Sequence, residues 1–302
     1  MKKGILSILT ASIVISLIGC SAPKEELVKD REGNEVKVPD NIERIISTAP
    51  SNTEIIVDLG WGDKLVAIDT YSTDIEGIDK NIEQIDFTSP DAEAIVGLDP
   101  DLIIASGHNK TGSPEDPFKA VSEAGIPVVY IPSSDSIDGI YGDIEFIADI
   151  LEEEEKGKEI IKNTKDEIDK IAQVGKEIKD KRKVYFEIAP APSIFTFGNS
   201  TFLNEMIELI GAENVFKDDG VWISPSEEAV IEKNPDVILT NVNYIENPVE
   251  QIKTRKGWES INAIKNNQVY TIDTNSSSRP SHKITVALKE MAKAIYPDSY
   301  EK

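Results

Sequence analysis

Two segments of this chain repeat one another. Ser89 opens SPDAEAIVGLDPDLIIA and Ser224 opens SPSEEAVIEKNPDVILT; they align without a gap and put Glu93 and Glu228 at the same point. A match of this kind predicts two similarly built lobes, each with one acidic residue in an equivalent place. That is the pattern of a bilobed protein meeting a two-fold symmetric partner. Each copy reads as a helix followed by a strand. Ser89 and Ser224 are the expected N-caps, with Pro90 at the first helical position, where its missing N–H costs nothing. Leu102 to Ala105 and Val237 to Leu239 are the expected strands.

The same grammar runs through the rest of the chain. RIIST (44–48) reads as a buried strand, and Glu54 to Leu59 as a helix capped by Ser51 or Asn52. Leu65 to Ile68 and Val128 to Ile131 read as strands, with a helix at Pro117 to Ala124. After the middle of the chain, Val184 to Ile188 and Val269 to Ile272 read as strands. Thr201 to Ile210 and Ile284 to Ile295 read as helices, with short ones at Val249 to Lys256 and Glu259 to Ile264. Strands alternating with helices across short connections imply parallel sheets. Between the halves, residues 137–180 hold no proline, and Ile160, Ile161, Ile168 and Ile171 recur near helical spacing among Lys and Glu. This predicts one long helix ending near Gly175 or Asp180. About 25 residues of it would span ~38 Å and act as a rigid spacer. The expected fold is therefore α/β, two lobes with mostly parallel sheets joined by one long helix. The boundaries are 40–145 for the N-terminal lobe, 146–181 for the linking helix and 182–302 for the C-terminal lobe.

The N-terminus reads as an address. Lys2 and Lys3 precede an apolar run from Ile5 to Ile18, shorter than the ~20 residues that span a bilayer. The run stops at Leu17-Ile18-Gly19-Cys20, which resembles a lipobox. Residues 1–19 are then a signal peptide, Cys20 carries the lipid, and residues 20–39 form a tether. Two acyl chains suffice for stable anchoring, so the expected location is the outer face of the cytoplasmic membrane. The Lys-, Ile- and Asn-rich composition suits a Gram-positive cell. Cys20 is the only cysteine, which leaves no disulfide and no Cys-based metal site. The formal charge of −23 opposes nucleic-acid binding, because phosphate contacts need a basic face.

Several motifs in order resemble the cobalamin and ferric-siderophore binding proteins of bacterial ABC importers, the class III periplasmic-binding-protein plan with a rigid interlobe helix. They are RIISTAPSNTEIIVDLG, DAEAIVGLDPDLIIAS, FGNSTFLNEMIELIGAENVF, WESINAIKNNQVYTID and SSSRPSHKITVALKEMAKAIYP, and the resemblance covers roughly residues 40–297. The resemblance implies a monomer that delivers a metal chelate (corrinoid, ferric siderophore or haem) to a permease dimer with its ATPase. It implies that Glu93 and Glu228 form salt bridges with permease arginines. Trp222 looks like a cleft aromatic of the cobalamin binders and Arg279 like the family's cleft arginine. Phe195 or Phe197 would add a second aromatic wall. Ligands of open α/β sheets lie beyond the C-terminal ends of the strands, which adds Ser51, Asn52, Tyr71, His108 and Tyr244 to the expected cleft. Other readings stay open at single residues. Trp222 could pack into its lobe, Arg279 could pair with a nearby aspartate, and His108 could be a plain loop residue. Other aromatics used by cobalamin binders are missing here, and the arginines that clamp anionic siderophores are sparse.

No catalytic residue and no protein-held metal are expected. HExxH, Walker A and GxSxG patterns are absent, and Cys20 is the lipid attachment site. No cofactor is expected beyond the lipid. A binder of free zinc or manganese would share the lobe–helix–lobe plan, but His108 and His282 are a poor ligand set. An adhesion or signalling lipoprotein on the same scaffold is the remaining alternative.

Overall fold

The computed structural model describes residues 25–86, 88–107 and 116–300. Cys20, the apolar leader and His108 lie outside the described residues. The chain begins with β1 (Glu25–Lys29), β2 (Glu35–Pro39), β3 (Ile45–Ser47), α1 (Pro50–Asp58), β4 (Leu65–Asp69) and β5 (Glu83–Ile85). It continues with α2 (Ala92–Gly97), β6 (Leu102–Ser106), α3 (Lys119–Glu123), β7 (Val128–Ile131), α4 (Ile137–Ile150) and α5 (Glu154–Glu177). The second half holds β8 (Lys183–Glu187), β9 (Thr196–Phe197), α6 (Phe202–Leu209), β10 (Glu213–Asn214), β11 (Trp222–Ile223), α7 (Glu227–Lys233) and β12 (Val237–Thr240). It closes with α8 (Pro248–Lys253), α9 (Asn262–Lys265), β13 (Val269–Thr271), α10 (Thr274–Ser278), α11 (Ile284–Ile295) and α12 (Pro297–Tyr300). The N-terminal sheet is parallel in the order β5-β4-β3-β6-β7, and the C-terminal sheet is parallel in the order β10-β8-β12-β13. The expected two-lobed α/β class is borne out.

The strand sequences explain why both sheets are covered on both faces. Successive side chains of a strand point to opposite faces, and here both faces are apolar. Leu102 and Ile104 join one core while Ile103 and Ala105 join another with Ile95, Phe118 and Val121. In the second lobe Val237 and Leu239 face one way, and Ile238 faces Tyr185, Val230 and Trp258. The inward faces of the two sheets share one continuous core with α1, α4, α5, α6 and α11. The lobes are thus welded by packing, not only by a covalent connection.

The linking segment differs from the sequence expectation. It is two helices, not one. The break falls at Leu151 to Glu153, where Glu152 takes a left-handed φ of 55°. The Glu153 N–H reaches Ala148 O at 2.8 Å and the Glu152 N–H reaches Asp149 O at 3.1 Å, closing α4 as a Schellman-type cap does. Trp61 Nε1 to Glu153 Oε1 (3.2 Å) and Lys156 Nζ to Leu59 O (2.9 Å) pin the start of α5 to the end of α1. The run of glutamates carries no local sign of this break, since the cap uses backbone groups and a residue other than glycine. α5 alone, at 24 residues, spans ~36 Å.

Residues 25–39, expected to be tether, are folded. β1 and β2 form an antiparallel hairpin. Asp30, 5% exposed, accepts from Asn34 N (2.7 Å), Glu32 N (3.0 Å) and Tyr130 N (2.9 Å). The hairpin thereby covers β7, an edge strand. Arg31 Nε adds a bond to Asp143 Oδ1 at 2.9 Å, and the Ser134 hydroxyl donates to the other oxygen. Burial pushes the Asp143 carboxyl up to about 6, with the Ser134 hydrogen bond and Arg31 opposing the rise. A folded-state value above the ordinary 3.8 means this contribution to stability is full below pH ~4 and is lost as pH rises through ~6. Wild type should therefore lose stability relative to Asp143→Asn between pH 4 and 6. Urea denaturation across that range measures it; parallel curves would show that the folded state does not favour the protonated acid.

Candidate functional site

The repeated segments adopt the same helix–turn–strand arrangement. Asp91 accepts from Ala94 N and Ser226 from Ala229 N, each at 3.1 Å, so the caps lie two residues beyond the expected Ser89 and Ser224. This correction puts Glu93 and Glu228 at the second residue of α2 and α7, both exposed, where a carboxylate suits the helix dipole. Ile95 and Val230, two residues on, are fully buried. Asp99 and Asn234 turn the chain with φ of 48° and 47°. Asp101 then accepts from Arg44 N (2.9 Å) ahead of β3, and Asp236 from Lys183 N (3.0 Å) at the start of β8. Both lobes therefore fix an outward glutamate against the same interior frame.

Between the lobes lies a cavity of about 420 Å³, within the usual size of small-molecule sites. Its N-terminal wall comes from Thr48, Ala49, Pro50 and Ser51 after β3, Tyr71 after β4, Ser106 ending β6 and Ser133 after β7. Its C-terminal wall comes from Asn243 after β12 and from Thr274, Asn275, Ser278, Arg279 and Pro280 after β13. All follow the C-terminal ends of parallel strands, as expected for open α/β sheets. A larger hollow of about 720 Å³ lies among α4, α5 and α6. It is away from the C-terminal strand ends and is walled mostly by helix residues, so the interlobe cavity is the better candidate.

Arg279 crosses the divide. Its guanidinium donates to Glu54 Oε1 at 3.0 Å, Tyr71 O at 2.9 Å and Asp74 Oδ1 at 2.7 Å. The open alternative of pairing with an aspartate is thus realised, together with a glutamate. Glu54, 3% exposed on α1, also accepts from Ser281 Oγ, and Asn275 donates to Asp74. Burial works against the Arg279 charge, but Asp74 and Glu54 outweigh it and raise the guanidinium above its ordinary value. Burial likewise opposes the Asp74 carboxylate, yet the Arg279 hydrogen bond and charge hold it low. Asp69 beneath the Tyr71 loop is raised by burial, with Ser72 and the Tyr71 N–H as its partners. A further link joins His282 Nε2 to Asp58, whose carboxyl is lowered first by that hydrogen bond.

The aromatic expectations divide. Trp222 is 45% exposed and stacks on Phe195 with centroids 6.2 Å apart and planes at 9°. They sit on a ribbon of β9 and β11, which the Ala189–Phe195 bridge holds at the C-terminal end of β8. Phe197 is fully buried and touches Trp222 edge-on, so it is core and not a cleft wall. Asn52 is 2% exposed, its amide turned to Ala105 O, which removes it from the cleft surface. Ser51, Tyr71 and Arg279 line the cavity; Trp222, Phe195 and Tyr244 do not. Glu54 and Asp74 were missed, because neither a helix glutamate nor a loop aspartate carries a local signal of a partner in the other lobe.

The profile of the periplasmic binding protein family matches residues 45–275. The chain belongs to this family. Relatives of this periplasmic binding protein agree with the architecture. It is 32% identical, over the whole of both chains, to the uncharacterised ABC transporter substrate-binding lipoprotein YvrC of Bacillus subtilis. It is 30% identical to the vitamin B12-binding protein of Yersinia pestis over 66% of this chain and 69% of that one. A solved structure described as a possible iron-binding (periplasmic solute-binding) protein of Staphylococcus epidermidis superposes with a TM-score of 0.75 at 34% identity. It covers 84% of this chain and 99% of that one. The resemblance drawn from the motifs is borne out at the level of the family.

Proposed function

We propose that this protein captures a metal chelate (a corrinoid, ferric siderophore or haem) outside the cytoplasmic membrane and delivers it to an ABC importer. The observation that carries this is the cavity at the strand ends of both lobes, in a chain of this family. Lipid on Cys20 holds the protein to the membrane, and the protein acts as a monomer. Glu93 and Glu228 meet cations on a permease dimer that is driven by its ATPase. The shared core and the Arg279 and His282 links limit lobe separation, so binding shifts the lobes modestly and docking on the importer frees the ligand. A free-metal reading is less well supported: among the described residues, no group of three or more His, Cys, Asp or Glu side chains is placed to hold an ion. Among them, too, no helix is long and apolar enough to cross a membrane.

The test is a fluorescence titration of the purified protein, with Trp61, Trp222 and Trp258 as probes. The panel holds cobalamin, cobinamide, haem, several ferric siderophores and free divalent metals. Saturable quenching by a chelate supports the reading, whereas a response to bare metal alone overturns it. Trp222 lies outside the cavity wall, and a chelate large enough to extend from the cavity onto the exposed Trp222–Phe195 pair should bind Trp222→Ala about tenfold more weakly. Unchanged affinity would show that the ligand stays within the cavity.

A further inference from the structure

Among the described residues, Arg279 is the one charged side chain lining the cavity. Its charge is already committed. Glu54 and Asp74 both bind it, its side chain is 11% exposed, and a third bond goes to Tyr71 O. One guanidinium against two carboxylates leaves the back wall of the cleft with a net negative charge. The rest of the wall offers hydroxyl and amide groups, among them Ser51, Ser133, Asn243 and Thr274. These can hydrogen-bond neutral amides, hydroxamates and carbonyls, but they cannot neutralise an anion. The whole chain adds a field of the same sign, with a formal charge of −23.

We infer that the cleft selects metal chelates whose buried part is neutral or cationic, presenting amide or hydroxamate groups, and rejects polyanionic chelates. This rests on the proposed capture of a metal chelate and narrows it by charge. A carboxylate or catecholate entering here would meet Arg279 already paired with Asp74 and Glu54, with no other cation among the described residues of the cavity wall. It would have to break the Arg279 pairs to find one, which costs affinity through the unpaired groups left behind.

The test uses chelates matched in size and metal but not in charge. Ferrioxamine B is cationic; acetylating its free amine makes it neutral, and succinylating it makes it anionic. Cyanocobalamin and its carboxylate hydrolysis products form a second series. Calorimetry on the full-length protein in detergent micelles reads each Kd at low and at physiological salt. In at least one series affinity should fall about tenfold per added negative charge, and less at higher salt. Asp74→Asn should narrow that spread by improving the anion relative to the neutral member. Equal or tighter binding of the anions overturns the inference, as does a spread that Asp74→Asn leaves unchanged. Binding restricted to haemin or a ferric tris-catecholate also overturns it, while leaving chelate capture standing. Binding of no chelate at all overturns both together.

Discussion

Replacing Glu93 and Glu228 together by alanine should cut uptake roughly a hundredfold, at about tenfold for each lost charge contact, while chelate affinity stays within about twofold. Both side chains are exposed at equivalent second positions of α2 and α7. Neither appears in the cavity wall. Each contributes ~0.3–1 kcal/mol to its own helix through the dipole, too little to unfold a lobe. The caps that hold the helices, Asp91 and Ser226, are left in place. The loss should thus show in uptake and not in folding or binding. Each single variant should lose about a tenfold share, because the two lobes would meet matching surfaces of a two-fold partner. Lysine at both positions should be worse than alanine, since it sets like charges against each other. The measurement is import of the bound chelate into cells, paired with its Kd on purified protein. Normal import by the double alanine variant would end the docking assignment.

The largest stability effect should come from one methyl group. Gly175 lies on the buried face of α5 where it crosses the end of α6. A Cβ there would stand 2.0 Å from Leu209 O and 2.8 Å from Ile210 C. The obstruction is backbone, so no side chain can swing aside. Gly211, at φ +87°, closes on the same point, and its own Cβ would meet Gly175 O at 2.5 Å. Gly175→Ala should destabilise the protein by about 3 kcal/mol from forced separation of the helices, against ~1 kcal/mol of helix propensity gained. The net loss should lower Tm by several degrees, at ~2–4 °C per kcal/mol for a chain of this size. Gly97→Ala is the control. Gly97 ends α2, and a methyl group there would meet nothing within 4 Å, so propensity alone should act and Tm should hold or rise slightly. Equal behaviour of the two variants would show that α5 and α6 are not in close contact. Because Gly175 fixes α5 to the second lobe, a loosened variant also tests whether the linking helix restrains the lobes.

Much of the fold was legible because it is written locally. Ile45 with Ile46, Leu102 to Ala105 and Val237 to Leu239 are short apolar runs rich in β-branched residues, which suit strands covered on both faces. The spacing of Ile168 and Ile171 marked the buried stripe of α5. The hairpin at residues 25–39 was hidden because its strands are short and charged, and because its stability comes from Asp30 and Arg31 bonding to Tyr130 and Asp143. The break between α4 and α5 was hidden because a backbone cap at Glu152 leaves no residue signature.

The site divides in the same way. Ser51 and Tyr71 could be named from sequence because they follow strand ends, and Arg279 because its motif resembles the family's cleft arginine. The duplicated frame, the two outward glutamates and the end of each sheet where a ligand could sit were all readable without coordinates, since they depend on residues near one another in the chain. What Arg279 does was not readable in that way. Its partners Glu54 and Asp74 are 225 and 205 residues away, and whether a guanidinium faces a ligand or a carboxylate depends on which loops the packed lobes bring into hydrogen-bonding reach of it.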